Sequence, residues 1–185
     1  MRGIYTIFLV VMFVGFSFMS CDDNNSSDNS WKIENEQFFR NLAVRSDLVK
    51  IDAGSNNGFL YYKVIKSGSN DGESPKYTSS VEVAYTGATL LGFNVPADAI
   101  ILGKEFDTTF KESNMLPTGD YNPATFNVNG LIEGWREALQ QMKPGDKWRI
   151  YIPWELGYGS SGNETSIPEY STLIFELELV RIVRL

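Results

Sequence analysis

The chain has 185 residues, 43% of them hydrophobic and 14% aromatic, enough for one domain with a sizeable core and an extension. Its net charge of −7, without any block of Lys or Arg, argues against a nucleic-acid partner, because phosphate binding needs a basic face. There is no His and only one Cys, far upstream at Cys21, so the usual nucleophilic and metal-binding residues are missing and no intrachain disulfide can form.

In chain order, residues 1–20 read as an export signal. Arg2 precedes an almost unbroken apolar run over 4–19, short for a membrane span and placed where a secretory h-region sits. The run ends in Phe18-Met19-Ser20-Cys21, which resembles a bacterial lipobox. Cys21 is therefore the expected lipidation site and the link to the membrane. The plainer alternative is an ordinary signal peptide that leaves Cys21 as a free thiol. The expected location is the cell envelope, lipid-anchored in the outer membrane, with the periplasmic and surface faces both open. Residues 21–30 carry nothing apolar after Cys21 and read as a solvated tether.

Residues 31–57 read as a helix and a loop. Ile33, Gln37, Phe38, Leu42 and Val44 form an incomplete helical stripe over 31–46, which suits an appendage that packs on the main domain or meets a partner. The main domain is placed at 58–185. Residues 59–66 (FLYYKVIK) are a strand by composition. Over 80–89, Val81, Val83 and Tyr85 alternate with Glu82, Ala84 and Thr86, and Gly87 marks a bulge or a close backbone approach. An apolar loop covers 91–103, order resumes at 104–109, a second loop runs over 111–123, and 124–128 is a short strand. Over 131–142, Ile132, Trp135, Leu139 and Met142 line one helical face, and Pro144-Gly145 ends the segment. Two alternating strands follow at 147–153 and 172–180. In the second, Leu173, Phe175, Leu177 and Leu179 face the core, and Glu176 and Glu178 face out. The sum is an α+β domain of antiparallel strands around one principal helix.

Val83-Ala84-Tyr85-Thr86-Gly87, Glu105-Phe106-Asp107-Thr108-Thr109, Ile132-Glu133-Gly134-Trp135 and Met142-Lys143-Pro144-Gly145-Asp146 occur in that order. Gly157-Tyr158-Gly159, Ile167-Pro168 and the run from Leu173 to Leu179 follow them. Together they resemble the FKBP family of peptidyl-prolyl cis-trans isomerases over roughly residues 59–182. The resemblance implies an antiparallel sheet of five to six strands wrapped around one short helix, with an N-terminal helical appendage in this chain. It implies that Tyr85, Phe106, Asp107, Trp135 and Tyr158 act on the X-Pro bond, and that Leu131, Ile132, Ile167 and Phe175 bind the peptide. Trp135 would be the floor under the proline ring, with Tyr85, Phe106 and Phe175 as walls. The Ile132 N–H and the Tyr158 O–H would hold peptide carbonyls. No cofactor or metal is implied. The implied partners are proline-containing polypeptides and, as small molecules, macrolides.

Each residue also has a plainer reading. Trp135 alone would be a core residue of an amphipathic helix, Tyr85 a core residue of its strand, and Tyr158 a surface tyrosine in a glycine-rich loop. Asp107 is expected either to face the pocket and bond the Tyr85 hydroxyl, or to cap a turn through Thr108 or Thr109. The chain departs from compact members of the family at the apolar loop 91–102, read as a private packing patch or a lip over the site, and at the long loop 110–123. Ala124 stands where some members carry a pocket aromatic, and Asn163 or a neighbour stands where some carry His. Two functions follow. One is an isomerase assisting the folding of exported proteins; the other is a polypeptide-binding chaperone module with weak or no turnover. A structural lipoprotein with a vestigial pocket is disfavoured by the pocket motifs.

Overall fold

The computed structural model describes residues 24–69, 72–90, 104–111, 120–163 and 165–183. Cys21, the apolar loop 91–102 and most of the second loop lie outside the described residues. Helix α1 (Asn24–Asn41) and a 3-10 turn (Leu42–Val44) lead into strands β1 (Val49–Asp52), β2 (Phe59–Lys66), β3 (Ser80–Thr89), β4 (Lys104–Thr108) and β5 (Ala124–Asn127). Helix α2 (Glu133–Leu139) and strands β6 (Lys147–Ile152) and β7 (Leu173–Val183) follow. One antiparallel sheet has the order β1-β2-β6-β7-β3-β4, and β5 also pairs with β3. The free side of β3 is thus shared: β5 takes its first half and β4 its second.

The sheet has seven strands where five to six were expected. The added strand is β1, and its shortness explains why it is silent in the sequence. Of its four residues only Ile51 is buried, so no alternation shows. Helix α2 is shorter than the segment 131–142. Leu131 and Ile132 are extended (ψ 163° and 151°), and the chain past Leu139 winds on only through turn bonds such as Met142 N–H to Ala138 C=O at 3.1 Å. Helix α1 begins at Asn24, inside the segment read as a tether. The polarity of those residues argues against burial but does not forbid a helical backbone.

Two cores occupy opposite faces of the sheet. The larger gathers Val81, Val83, Tyr85, Ile150, Ile152, Leu173, Phe175 and Leu177 from the strands against Trp135, Ala138 and Leu139 of α2. The helix sits close: a Cβ on Gly134 would lie 2.5 Å from the Ile152 side chain. The pleat sends the intervening residues Tyr151 and Ile174 to the other face. There they pack with Leu90 and with Phe38 and Leu42 from the α1 region. Glu176, expected to face out, is on that face but only 6% exposed. It accepts a hydrogen bond from Arg149 at 2.6 Å and pairs with Lys147 at 3.3 Å. The appendage therefore packs on the main domain.

Leu42 is fully buried in this second core. Leu42→Ala is expected to lower unfolding stability by about 3 kcal/mol through lost transfer energy and the cavity left behind. Urea denaturation would show a lower midpoint at constant slope. An unchanged midpoint would mean that the α1 region does not fold with the sheet.

Candidate active site

A cavity of about 290 Å³ opens beside the start of α2, and residues from β3, β4, β5, β7 and the loop after β6 complete its lining. Trp135, in the first turn of α2, is 4% exposed. Three rings meet it edge-on: Tyr85 at 5.0 Å, Phe175 at 5.1 Å and Phe126 at 6.1 Å between centroids. Phe106 stands edge-to-face against Phe175 at 5.5 Å.

Gly87 explains how these two walls come together. It pairs with Phe175 of β7 on one side and Asp107 of β4 on the other. A Cβ there would lie 2.4 Å from Phe175 Cε1 and 2.7 Å from Phe106 Cζ, so the rings pass over the space a side chain would fill. The β3–β4 register also shifts between Gly87 and Ala88. Phe106 and Asp107 are consecutive, yet both line the cavity, which a regular pleat would not allow.

The cavity has one polar corner. The Tyr85 hydroxyl donates to Asp107 Oδ2 at 2.5 Å. The two threonines after Asp107 serve the backbone. Thr109 Oγ1 accepts the Tyr85 N–H at 2.8 Å, and the Thr109 N–H donates to the Tyr85 C=O at 3.0 Å. Burial, and then the bond to Asp107 and its charge, push the Tyr85 hydroxyl well above its ordinary range. Tyr158 stands at the rim, 40% exposed, and burial and the Asp107 carboxylate raise its hydroxyl too.

Leu131 and Ile132 line the cavity ahead of α2. Arg136 Nη1 donates to the Leu131 C=O at 2.7 Å. In a trans peptide the Ile132 N–H points the opposite way from that carbonyl, so Arg136 fixes its direction.

The sequence profile of the FKBP-type peptidyl-prolyl cis-trans isomerases matches residues 71–180, more than half of the chain. The chain belongs to the FKBP family. It is 39% identical over 134 residues to the FKBP-type 22 kDa peptidyl-prolyl cis-trans isomerase of Escherichia coli, covering 72% of this chain and 55% of that protein. It is 35% identical over 123 residues to a Legionella longbeachae protein named outer membrane protein MIP, covering 66% of this chain and 44% of that one. The chain thus spans about half the length of these curated relatives. The crystal structure of FkpA from Escherichia coli superposes with a TM-score of 0.64 at 29% identity, covering 85% of this chain and 62% of that one.

Against the FKBP resemblance, eight of the nine expected pocket residues line the cavity: Tyr85, Phe106, Asp107, Leu131, Ile132, Trp135, Tyr158 and Phe175. Ile167 does not. It is 2% exposed in the main core, and its N–H donates to Asn163 Oδ1 at 2.6 Å. Asn163 thereby ties off its own loop, and its Oδ1 also accepts the Ser166 N–H at 2.8 Å. Phe126 and Gly130 were not foreseen in the lining. The aromatic missing at Ala124 is supplied two residues later on the same face of β5, a signal that the alternation of 124–128 carried.

The raised Tyr85 hydroxyl has a consequence for stability. Its folded pKa lies above the unfolded value of about 10, so the protonated ring is favoured by folding. This contribution is complete below pH 10 and is lost as pH rises through the folded value. Wild type is therefore expected to lose stability more steeply than Tyr85→Phe above about pH 10, as read by urea midpoints across the alkaline range. Parallel pH curves would mean that Tyr85 titrates alike in both states.

Proposed function

We propose that the protein is a peptidyl-prolyl cis-trans isomerase that assists the folding of exported polypeptides at the Trp135 cavity. The observation that carries this reading is the lining itself: six aromatic and two aliphatic side chains around one hydrogen-bonded carboxylate. Rotation about X-Pro must overcome amide resonance, a barrier of roughly 20 kcal/mol. No bond breaks, so neither nucleophile nor metal is required. The twisted amide separates less charge than the planar one, and an apolar cavity favours it over water. Each factor of ten in rate needs about 1.4 kcal/mol of stabilisation in the transition state beyond that in the ground state.

In this reading the proline ring rests on Trp135 between Tyr85, Phe106 and Phe175. The Ile132 N–H and the Tyr158 hydroxyl hold carbonyls on either side of the rotating bond. Asp107 holds the Tyr85 ring in place and, among the described residues of the lining, sets the one charge beside the amide. Leu131 extends the apolar contact. The same lining suits macrolides as competing ligands. Lipid on Cys21 would anchor the domain to the envelope, most simply at the outer membrane, where the name of the Legionella relative places that protein.

A protease-coupled assay on X-Pro tetrapeptides tests the reading. Wild type is expected to accelerate isomerisation over buffer, and Phe106→Ala and Asp107→Ala to lower kcat/KM by about ten-fold or more each. Equal rates for wild type, both variants and buffer would refute it, and would leave the chaperone reading to be tested by suppression of aggregation of a proline-free client.

A further inference from the structure

Helix α1 lies across the sheet from the cavity, yet its polar contacts converge on residues 169–172, which are bonded in turn to the loop that carries the rim of the site. Trp31 Nε1–H donates to the Glu169 C=O at 2.9 Å. Asn35, fully buried, accepts the Thr172 N–H on Oδ1 at 2.7 Å, while its backbone C=O accepts from Thr172 Oγ1 at 3.2 Å. Asn35 Nδ2–H also donates to the Trp31 C=O at 2.9 Å, which locks the two anchors into one unit. Between them, the Lys32 ammonium stands 4.5 Å from the centre of the Tyr170 ring and 5.6 Å from that of Trp154, and these two rings meet edge-to-face at 5.1 Å.

Both ends of the gripped segment lead to the cavity. Tyr170 has φ 53°, a left-handed backbone that a bulky side chain adopts only where its surroundings hold it. Its N–H donates to the Gly159 C=O at 3.0 Å, and Gly159 follows Tyr158 of the rim. On the other side Thr172 enters β7, whose Phe175 is a wall. Apolar periodicity does not explain a fully buried asparagine in α1; its bonds to Thr172 do.

We propose that α1 is a positioning element of the substrate site. Trp31 and Asn35 act as positioning residues: they fix residues 169–172 and, through Tyr170 and Gly159, the placement of Tyr158. The link to substrate rests on the isomerase reading above; the mechanical link does not.

The test uses the full chain with Trp31→Phe, Asn35→Ala and both together. Amide hydrogen exchange is read on peptides covering 157–163, which neither substituted side chain touches, and KM and kcat are read on an X-Pro tetrapeptide. The double variant is expected to exchange about ten-fold faster at 157–163 while β2 and β6 stay protected. Its KM should rise roughly five-fold with kcat within about two-fold of wild type. Ile51→Ala serves as a control that lowers stability away from this contact and is expected to leave both readouts unchanged. Unaltered exchange at 157–163, or equal acceleration in Ile51→Ala, would overturn the proposal. Faster exchange with an unchanged KM would overturn its link to the site. A wild type with no activity over buffer would sink the isomerase reading, and exchange alone would then decide whether α1 positions the loop.

Discussion

Gly87→Ala is expected to lower kcat/KM about a hundred-fold without dissolving the sheet, because a placement error near 1 Å at a reacting geometry costs that much. The added methyl carbon would sit 2.4 Å from Phe175 and 2.7 Å from Phe106, inside any tolerable contact, so at least one ring must move. Phe175 has little room, with Trp135 at 5.1 Å and Tyr85 at 6.3 Å on its other sides. Phe106 is only partly buried and is the ring expected to swing. Overpacking of this kind costs about 1–3 kcal/mol, which a domain of ordinary stability survives. Steady-state kinetics beside a urea titration would show the two effects together. Activity within two-fold of wild type would mean that the spacing of these walls does not matter to the substrate.

Removing the floor is the second large effect. Trp135 is nearly fully buried among Tyr85, Phe126 and Phe175, so it is at once cavity floor and core. Trp135→Ala is expected to cost about 3–5 kcal/mol of stability and to abolish measurable turnover. Trp135→Phe separates the roles: it keeps a ring in the core but narrows the floor of the cavity. It should retain most of the stability, with kcat/KM down by about ten-fold. Far-UV circular dichroism checks that both variants stay folded. If Trp135→Phe loses stability in step with Trp135→Ala yet keeps full activity, the ring is structural and the proline rests elsewhere.

The strands that shaped the cavity were plain in the sequence because their patterns were strong. The bounds of β2 and β3 match the expected segments, and Gly87 stood out as the interruption of an otherwise alternating run. What the sequence hid has common physical causes. β1 buries one side chain in four. Phe126 is masked by Ala124, the small residue that opens the same face of β5. Ile167 carries a motif position but spends its side chain on the core. The apolar stripe of α1 is a poor guide to its docking: Ile33 is 49% and Val44 88% exposed, and only Phe38 and Leu42 of that stripe enter the second core. Its docking also runs through Trp31 and Asn35, and a buried asparagine leaves no trace in a hydrophobic pattern. Nor could a single sequence reveal that the outer face of the sheet, with Glu176 and Arg149, is itself covered.

On the proposed reading, this site lowers an amide barrier by shape, desolvation and fixed hydrogen bonds, without moving a proton. The chain has no His, and burial raises both tyrosine hydroxyls of the cavity. The most direct measurement is the rate of X-Pro isomerisation, followed without protease by NMR exchange between cis and trans peptide signals, at a series of pH values. Acceleration over buffer is expected to stay level from about pH 6 to about pH 9, where an imidazole-like acid or base would titrate. A bell-shaped profile in that window, or no acceleration at any pH, would contradict it.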